Sequence, residues 1–311
     1  MIRCIDLFAG VGGFRCAMQA AAEEASLAAA CVFSSEIDRD CQQVYQANFG
    51  ELPQGDITQI PAAAVPEHDL LLAGFPCQPF SIIGQRKGFQ DARGTLFFDI
   101  ARILAEKKPA AFVLENVKLL VGHNQGKTLA TIVEILHELG YSVSWRVLNA
   151  LHFGLPQKRE RIFIVGFRQS CCFTWPAENM PMRPLREILE RDVPAEYFAS
   201  ARIQEKRRAK RSPTTEEPTI WHENKSGNIS AYPYSCALRA GASYNYLLVN
   251  GERRLTPREM FRLQGFPESF IIAASYSQAR KQAGNSLPVP VAKAVIRNVL
   301  EACGWAAQQP V

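Results

Sequence analysis

The stretch DLFAGVGGF, residues 6–14, decides the fold of this chain. A strand-like apolar run from Arg3 to Ala9 enters a turn built on Gly10, Gly12 and Gly13, and the helical pattern FRCAMQAAAEEASLA leaves it. Glycines at such a turn let the backbone bend tightly and approach a ligand at the carboxyl edge of a first strand, where open α/β sheets bind cofactors. The spacing is G-x-G-G, not the G-x-G-x-x-G of dinucleotide-binding turns, which argues against a nicotinamide-dependent oxidoreductase. A purely structural turn would carry the same residues, so a ligand can be argued only together with residues further along the chain.

Outward from this stretch, short apolar runs alternate with longer helical patterns. CVFSSEI (31–37), DLLLAG (69–74), AAFVLEN (110–116), YSVSWRVLNA (141–150) and RIFIVGF (161–167) read as strands, with a further short strand expected at QGDI around Asp56. RDCQQVYQANF, TLFFDIARILAEKK and KTLATIVEILHELG read as the intervening helices. This alternation predicts an α/β chain with a mostly parallel sheet covered by helices on both faces. From Arg168 to about Asn250 the pattern breaks into prolines and short polar runs, which predicts a smaller second domain. Its basic cluster KRRAKR, 206–211, reads either as a phosphate-contacting patch or as a solvated helix face. Helical periodicity returns near the end, where Val291, Val295, Val299 and Leu300 share one face.

Composition sets the outer limits. A hydrophobic fraction of 47% over 311 residues supports a real core, and a net charge of +5 permits a polyanionic partner without demanding one. The nine cysteines include no C-x-x-C pair, so a reduced cytoplasmic protein without a metal site is expected. The amino terminus lacks a signal-peptide pattern and no window approaches eighteen consecutive apolar residues, so neither secretion nor membrane spanning is expected.

Candidate chemistry collects at the predicted strand ends. Glu36 and Asp56 are placed to accept hydrogen bonds from a ribose diol and an adenine amino group, although each would also pass as a solvated loop acid. GFPCQPFS, 74–81, sets Cys77 between prolines that stiffen its loop, in the kind of pre-shaped setting a thiolate nucleophile needs. FVLENV brings Glu115 and Asn116 to the same sheet edge, where a carboxyl group is an acid or a helix cap. QKRERIFIVGF places Arg159 and Arg161 on one face under period-two geometry, as guanidinium forks for phosphate or base edges or as a solvated strand entry.

In this order the motifs FAGVGGF, GFPCQPFS, ENV, QKRERIFIVGF, RLTPREMFRLQGFP and GNSLPVPVA resemble the DNA (cytosine-5)-methyltransferases of bacterial restriction-modification systems over nearly the whole chain. The resemblance implies a Rossmann-like S-adenosylmethionine-dependent methyltransferase fold, with residues 1–175 plus 282–311 as catalytic domain and 176–281 as target-recognition domain. It implies methyl transfer to C5 of a flipped cytosine. Cys77 would add to C6, Glu115 would hold or protonate N3, Arg161 would contact the base near O2, and Arg159 would support the pocket and backbone phosphates. Phe8, Ala9, Gly10, Val11, Gly12, Gly13, Glu36, Ile37, Asp56, Ile57, Gly74, Pro76, Leu96, Asn285 and Ser286 would form the S-adenosyl-L-methionine site. Gln78, Ser81, Arg86, Lys87, Arg93 and Gly241 would meet double-stranded DNA, with 81–94 as a glycine-hinged lid. A monomer in the cytoplasm of a bacterium or encoded by a phage, paired with a cognate restriction endonuclease, completes the expectation. Two rivals remain open: a tRNA-modifying enzyme of the same fold, which the tripeptide Cys172–Thr174 suggests, and a catalytically silent DNA-binding regulator.

Overall fold

The computed structural model describes residues 1–76, 96–211 and 218–307. Cys77 with Gln78, Ser81, Arg86, Lys87 and Arg93, and with them the expected lid, lie outside the described residues. In chain order the strands and helices are β1 (Ile2–Leu7), α1 (Gly13–Glu24), β2 (Ala29–Ser35), α2 (Arg39–Phe49), β3 (Leu70–Gly74), α3 (Leu96–Lys107), β4 (Ala111–Val117), α4 (Leu119–Gly122) and α5 (Lys127–Glu138). They continue as β5 (Ser142–Asn149), β6 (Gln157–Lys158), β7 (Glu160–Phe167), α6 (Ala201–Arg208), β8 (Ile220–Glu223), β9 (Ile229–Tyr232), β10 (Ser235–Cys236), β11 (Leu247–Val249), α7 (Pro257–Gln264), α8 (Tyr276–Asn285) and α9 (Val289–Ala302).

The chain divides into two compact units. The first, Met1–Leu148 with Glu160–Ala177 and Val291–Val311, holds a six-stranded sheet in the order β2-β1-β3-β4-β7-β5. β1, β2, β3 and β4 pair in parallel, while β7 runs antiparallel to β4. Central strands covered on both faces should be apolar at every position, and Leu70, Leu71, Leu72 and Ala73 of β3 are fully buried. Ile5, Leu7, Phe112 and Leu114 pack with Ile100 and Leu104 of α3 and with Ile132 and Leu136 of α5 into one core. Each such side chain contributes about 2 kcal/mol by burial. Val291, Val295, Val299 and Leu300 are fully buried, as their shared face predicts. α9 is tied to α1 where Lys293 and Arg297 both reach Glu24.

The strand expected at QGDI does not form. Gln54 makes a single bridge to Ser35, and Asp56 instead caps a 3-10 turn, Ile57–Gln59, by accepting from the Thr58 amide. A short side chain that bonds the backbone two residues on competes with strand pairing, which accounts for the difference.

The second unit, Asn149–Arg159 with Glu178–Pro290, holds the antiparallel sheet β11-β8-β9, the parallel pair β6 and β10, and helices α6 to α8. Trp221 of β8 is its largest fully buried side chain. The partition by compactness differs from the one drawn by motif: 149–159 joins the second unit, and the return to the first begins at Val291 rather than at 282. Among the described residues no helix is long and apolar enough to cross a membrane.

Candidate active site

The glycine turn is built so that only glycine fits at its corner. Gly12 sits at φ +92°, and a Cβ there would fall 2.2 Å from the Phe49 ring of α2. Gly10 also takes a positive φ, as does Phe8 at 55°, a strained conformation for an aromatic residue. Glu36 locks this turn to the end of β2: one carboxylate oxygen accepts from the Gly10 amide at 2.8 Å and the other from the Asp38 amide at 2.8 Å. Each oxygen retains acceptor capacity after one such bond, so the group remains able to take a diol. Asp56 is exposed, its carboxylate oxygen shared by the Thr58 amide and hydroxyl. Arg102 of α3, which carries no motif signal in the sequence, pins that turn by donating to the carbonyls of Ile57 and Ile60.

The sheet register brings the remaining acid–base groups together. Gly74 of β3 pairs with Glu115 of β4, and Val117 pairs with Arg161 of β7, so both charged residues lie at one strand end. Arg161 Nε stands 2.9 Å from Glu115 Oε1, with side chains only 13% and 11% exposed. Burial pushes the Arg161 guanidinium down from its ordinary value, and the Glu115 carboxylate opposes that shift. Asn116, buried beside them, donates to the Phe75 carbonyl at 2.9 Å and thereby grips the chain immediately before Pro76 and Cys77. The ENV motif therefore pairs its acid with Arg161 and anchors the preceding loop through Asn116, and the sequence carried no signal for the second contact.

Other predicted residues fall in different settings. Ala9 and Val11 are buried within the turn, Ile57 belongs to the core, Ile37 is exposed, and Leu96 opens α3. Asp6, first residue of the motif, is buried, and burial pushes its carboxyl well above the usual range. Asn285 and Ser286 end α8 in the second unit. Arg159 belongs to that unit as well, immediately before β7 begins at Glu160. It is 0% exposed and donates to the carbonyls of Leu238 at 3.1 Å, Gly284 at 2.9 Å and Ser286. A guanidinium engaged in this way supports backbone and has no face for a phosphate. Gln157 does similar work, donating to Leu263 and accepting from the Leu238 amide.

The cluster at 206–211 is largely the solvated face that was one of its two expected forms, with Arg207 alone turned inward. Arg207 is 1% exposed and reaches the carbonyls of Trp221 and Asn245 and the carboxylate of Glu223. Arg208 pairs with Glu252 at 2.7 Å, and Lys210 donates to the Gly227 carbonyl. The tripeptide at 172–174 is a packing device: the Phe173 ring lies 5.4 Å from Phe167 and 5.1 Å from Trp175, and the Thr174 carbonyl accepts from Asn298.

A parallel sheet with one antiparallel strand, a glycine turn closed by a strand-end glutamate, and an acid–arginine pair at the same edge define a Rossmann-like methyltransferase. The family comparison makes this specific: the model for C-5 cytosine-specific DNA methylases matches residues 2–301, and the chain belongs to that family. It is 57% identical to the type II methyltransferase M.NgoBI of Neisseria gonorrhoeae over 94% of this chain and 92% of the relative. It is 52% identical to M.HaeII of Haemophilus aegyptius over 99% and 95%. The Dnmt2 methyltransferase of S. pombe shares the fold, with a TM-score of 0.71 at 21% identity over 97% of this chain and 99% of that one.

Proposed function

We propose that this DNA cytosine-5 methyltransferase uses S-adenosylmethionine to modify a cytosine flipped out of a short duplex site, and that it protects the DNA of its cell from a cognate restriction endonuclease. The observation that carries this reading is the Glu115–Arg161 pair at the strand end that Asn116 joins to the chain entering Cys77. The residues around the glycine turn suit the cofactor: Gly10 opens onto free space with no side chain in the way, Glu36 has acceptor capacity for ribose hydroxyls, and the Asp56 carboxylate is open to an adenine amino group. When bound, the cofactor supplies an electrophilic methyl group on a sulfonium.

The chain's own residues do the rest. Cys77 adds as thiolate to C6 of the ring, forming the S–C6 bond, and the electron pair displaced from the C5–C6 double bond makes C5 nucleophilic. Glu115 holds a proton at N3, so that negative charge does not build on the ring during addition. Arg161 orients Glu115 and reaches the base near O2. After methyl transfer, a base removes the C5 proton and the Cys77–C6 bond breaks, restoring the thiolate and releasing 5-methylcytosine. The protein is expected to work as a monomer.

Transfer of labelled methyl from S-adenosylmethionine to duplex DNA, with tRNA as competitor, tests the reading. Label should enter DNA alone, and label confined to tRNA would overturn it. Cys77→Ser should abolish turnover while leaving duplex binding within about threefold, because a hydroxyl is a far weaker nucleophile of nearly the same shape. Full activity of that variant would remove the covalent step.

A further inference from the structure

The segment between β10 and β11, residues 239–246, turns without regular structure and presents Arg239, Gly241 and Tyr244 on the surface of the second unit. Its own main-chain bonds are long: Ala242 N to the Arg239 carbonyl at 3.4 Å and Tyr246 N to the Ser243 carbonyl at 3.3 Å. With Gly241 as its one glycine, it has neither the flexibility of a glycine-rich loop nor the ladder of a hairpin.

Its order comes from α8. Arg280, 9% exposed, donates to the carbonyls of Ala242 at 2.8 Å and Ser243 at 3.1 Å. The same guanidinium lies 4.2 Å from the centre of the Tyr244 ring, which stacks in turn on Tyr276 at 5.9 Å and 22°. One helical turn further, Gly284 lets α8 press on the loop: a Cβ there would stand 2.4 Å from the Ala240 nitrogen. A planar cation that bonds two successive carbonyls through its edge and one ring through its face fixes both the path of a turn and the side chain it displays.

We infer that Arg280 is a positioning residue for target recognition, which holds the 239–246 turn in the shape that meets the DNA groove. The inference rests on the DNA-methylating reading above. A turn ordered in advance spares the complex the entropy of ordering it on binding, and that saving is greatest when every base contact is in register. The carbonyls and ring that Arg280 holds all belong to the turn and its support within the second unit, so its effect belongs to DNA affinity and site discrimination, not to the chemical step.

The test begins with the wild-type protein. Bisulfite sequencing of plasmid DNA from expressing cells gives the methylated site, and two oligonucleotide duplexes are made, one bearing it and one with a single base pair changed. Arg280→Lys keeps the charge but loses the plane and one carbonyl bond. It should raise KM for the first duplex about tenfold with kcat within about twofold, and should narrow the preference over the second duplex by a similar factor. Tyr244→Ala removes the other half of the clamp at a side chain 47% exposed, where loss of folding is not at issue. It should act in the same direction, and the double variant should be no worse than the stronger single. S-adenosylhomocysteine affinity should be unchanged in all three. Wild-type KM and site preference in both single variants would overturn the inference, as would a fall in kcat with KM unmoved. If wild-type protein methylates no duplex at all, it is the functional reading that fails.

Discussion

The two compact units bury arginine to different degrees. In the first, Arg161 pairs with the Glu115 carboxylate at a strand end and donates to the Glu160 carbonyl, and Arg102 donates to the carbonyls of Ile57 and Ile60, neither side chain being fully enclosed. In the second, Arg159, Arg207, Arg253 and Arg280 are each buried at 9% exposure or less, and every one of them donates to main-chain carbonyls. The cause lies in the backbone. A six-stranded sheet satisfies its own carbonyls, whereas a unit made of three short strands, a two-residue pair and long connections leaves carbonyls that need donors from elsewhere. Arginine's five donors on one plane meet that need better than any other side chain. These four buried arginines are therefore structural, and counting them as DNA-binding surface overstates it.

The comparison would break first at the sheet edge. Glu115→Gln should lower kcat on the order of 10³-fold, because an amide cannot supply the N3 proton that a positioned acid can. The melting temperature should move little, since the amide oxygen of the substituted side chain still accepts from Arg161. A kcat within a few-fold of wild type, measured with labelled cofactor on saturating duplex, would mean that this pair too is only a strut.

A strut fails differently. Arg207→Met should cost about 3 kcal/mol of stability, because the carbonyls of Trp221 and Asn245 lose a buried donor and Glu223 loses a partner at 3.1 Å. Denaturant unfolding measures the loss, while turnover at a temperature well below the melting point should stay near wild type. If the variant instead keeps its stability and loses DNA affinity, Arg207 reaches the nucleic acid after all.

Legibility from sequence followed the same division. The sheet, its core and the glycine turn could be read because period and spacing are local, and Glu115 with Arg161 could be placed because strand ends share an edge. The antiparallel direction of β7 could not be read, since apolar alternation is the same in both directions. The partners of Arg159 could not be read either, because they are carbonyls of Leu238, Gly284 and Ser286, far along the chain and without side-chain signal. The fates of Arg207 and Arg280 were out of reach, because their partners are carbonyls 14 to 38 residues distant in sequence that carry no side-chain signal.

The smallest expected effect is the sharpest test of whether the cluster at 206–211 has any role on DNA. Arg208 is 46% exposed and pairs with Glu252 at 2.7 Å, an arrangement worth about 0–1 kcal/mol once solvent screening is counted. Arg208→Ala should leave stability within that margin. Each phosphate contact adds roughly 0.9 to the slope of log affinity against log salt, so a residue touching the backbone shows itself there even when its net energy is small. A slope unchanged by Arg208→Ala would keep Arg208 inside the second unit's internal network. A slope reduced by about one would show that Arg208 leaves Glu252 for a phosphate on binding, making the ion pair a resting place for a DNA contact.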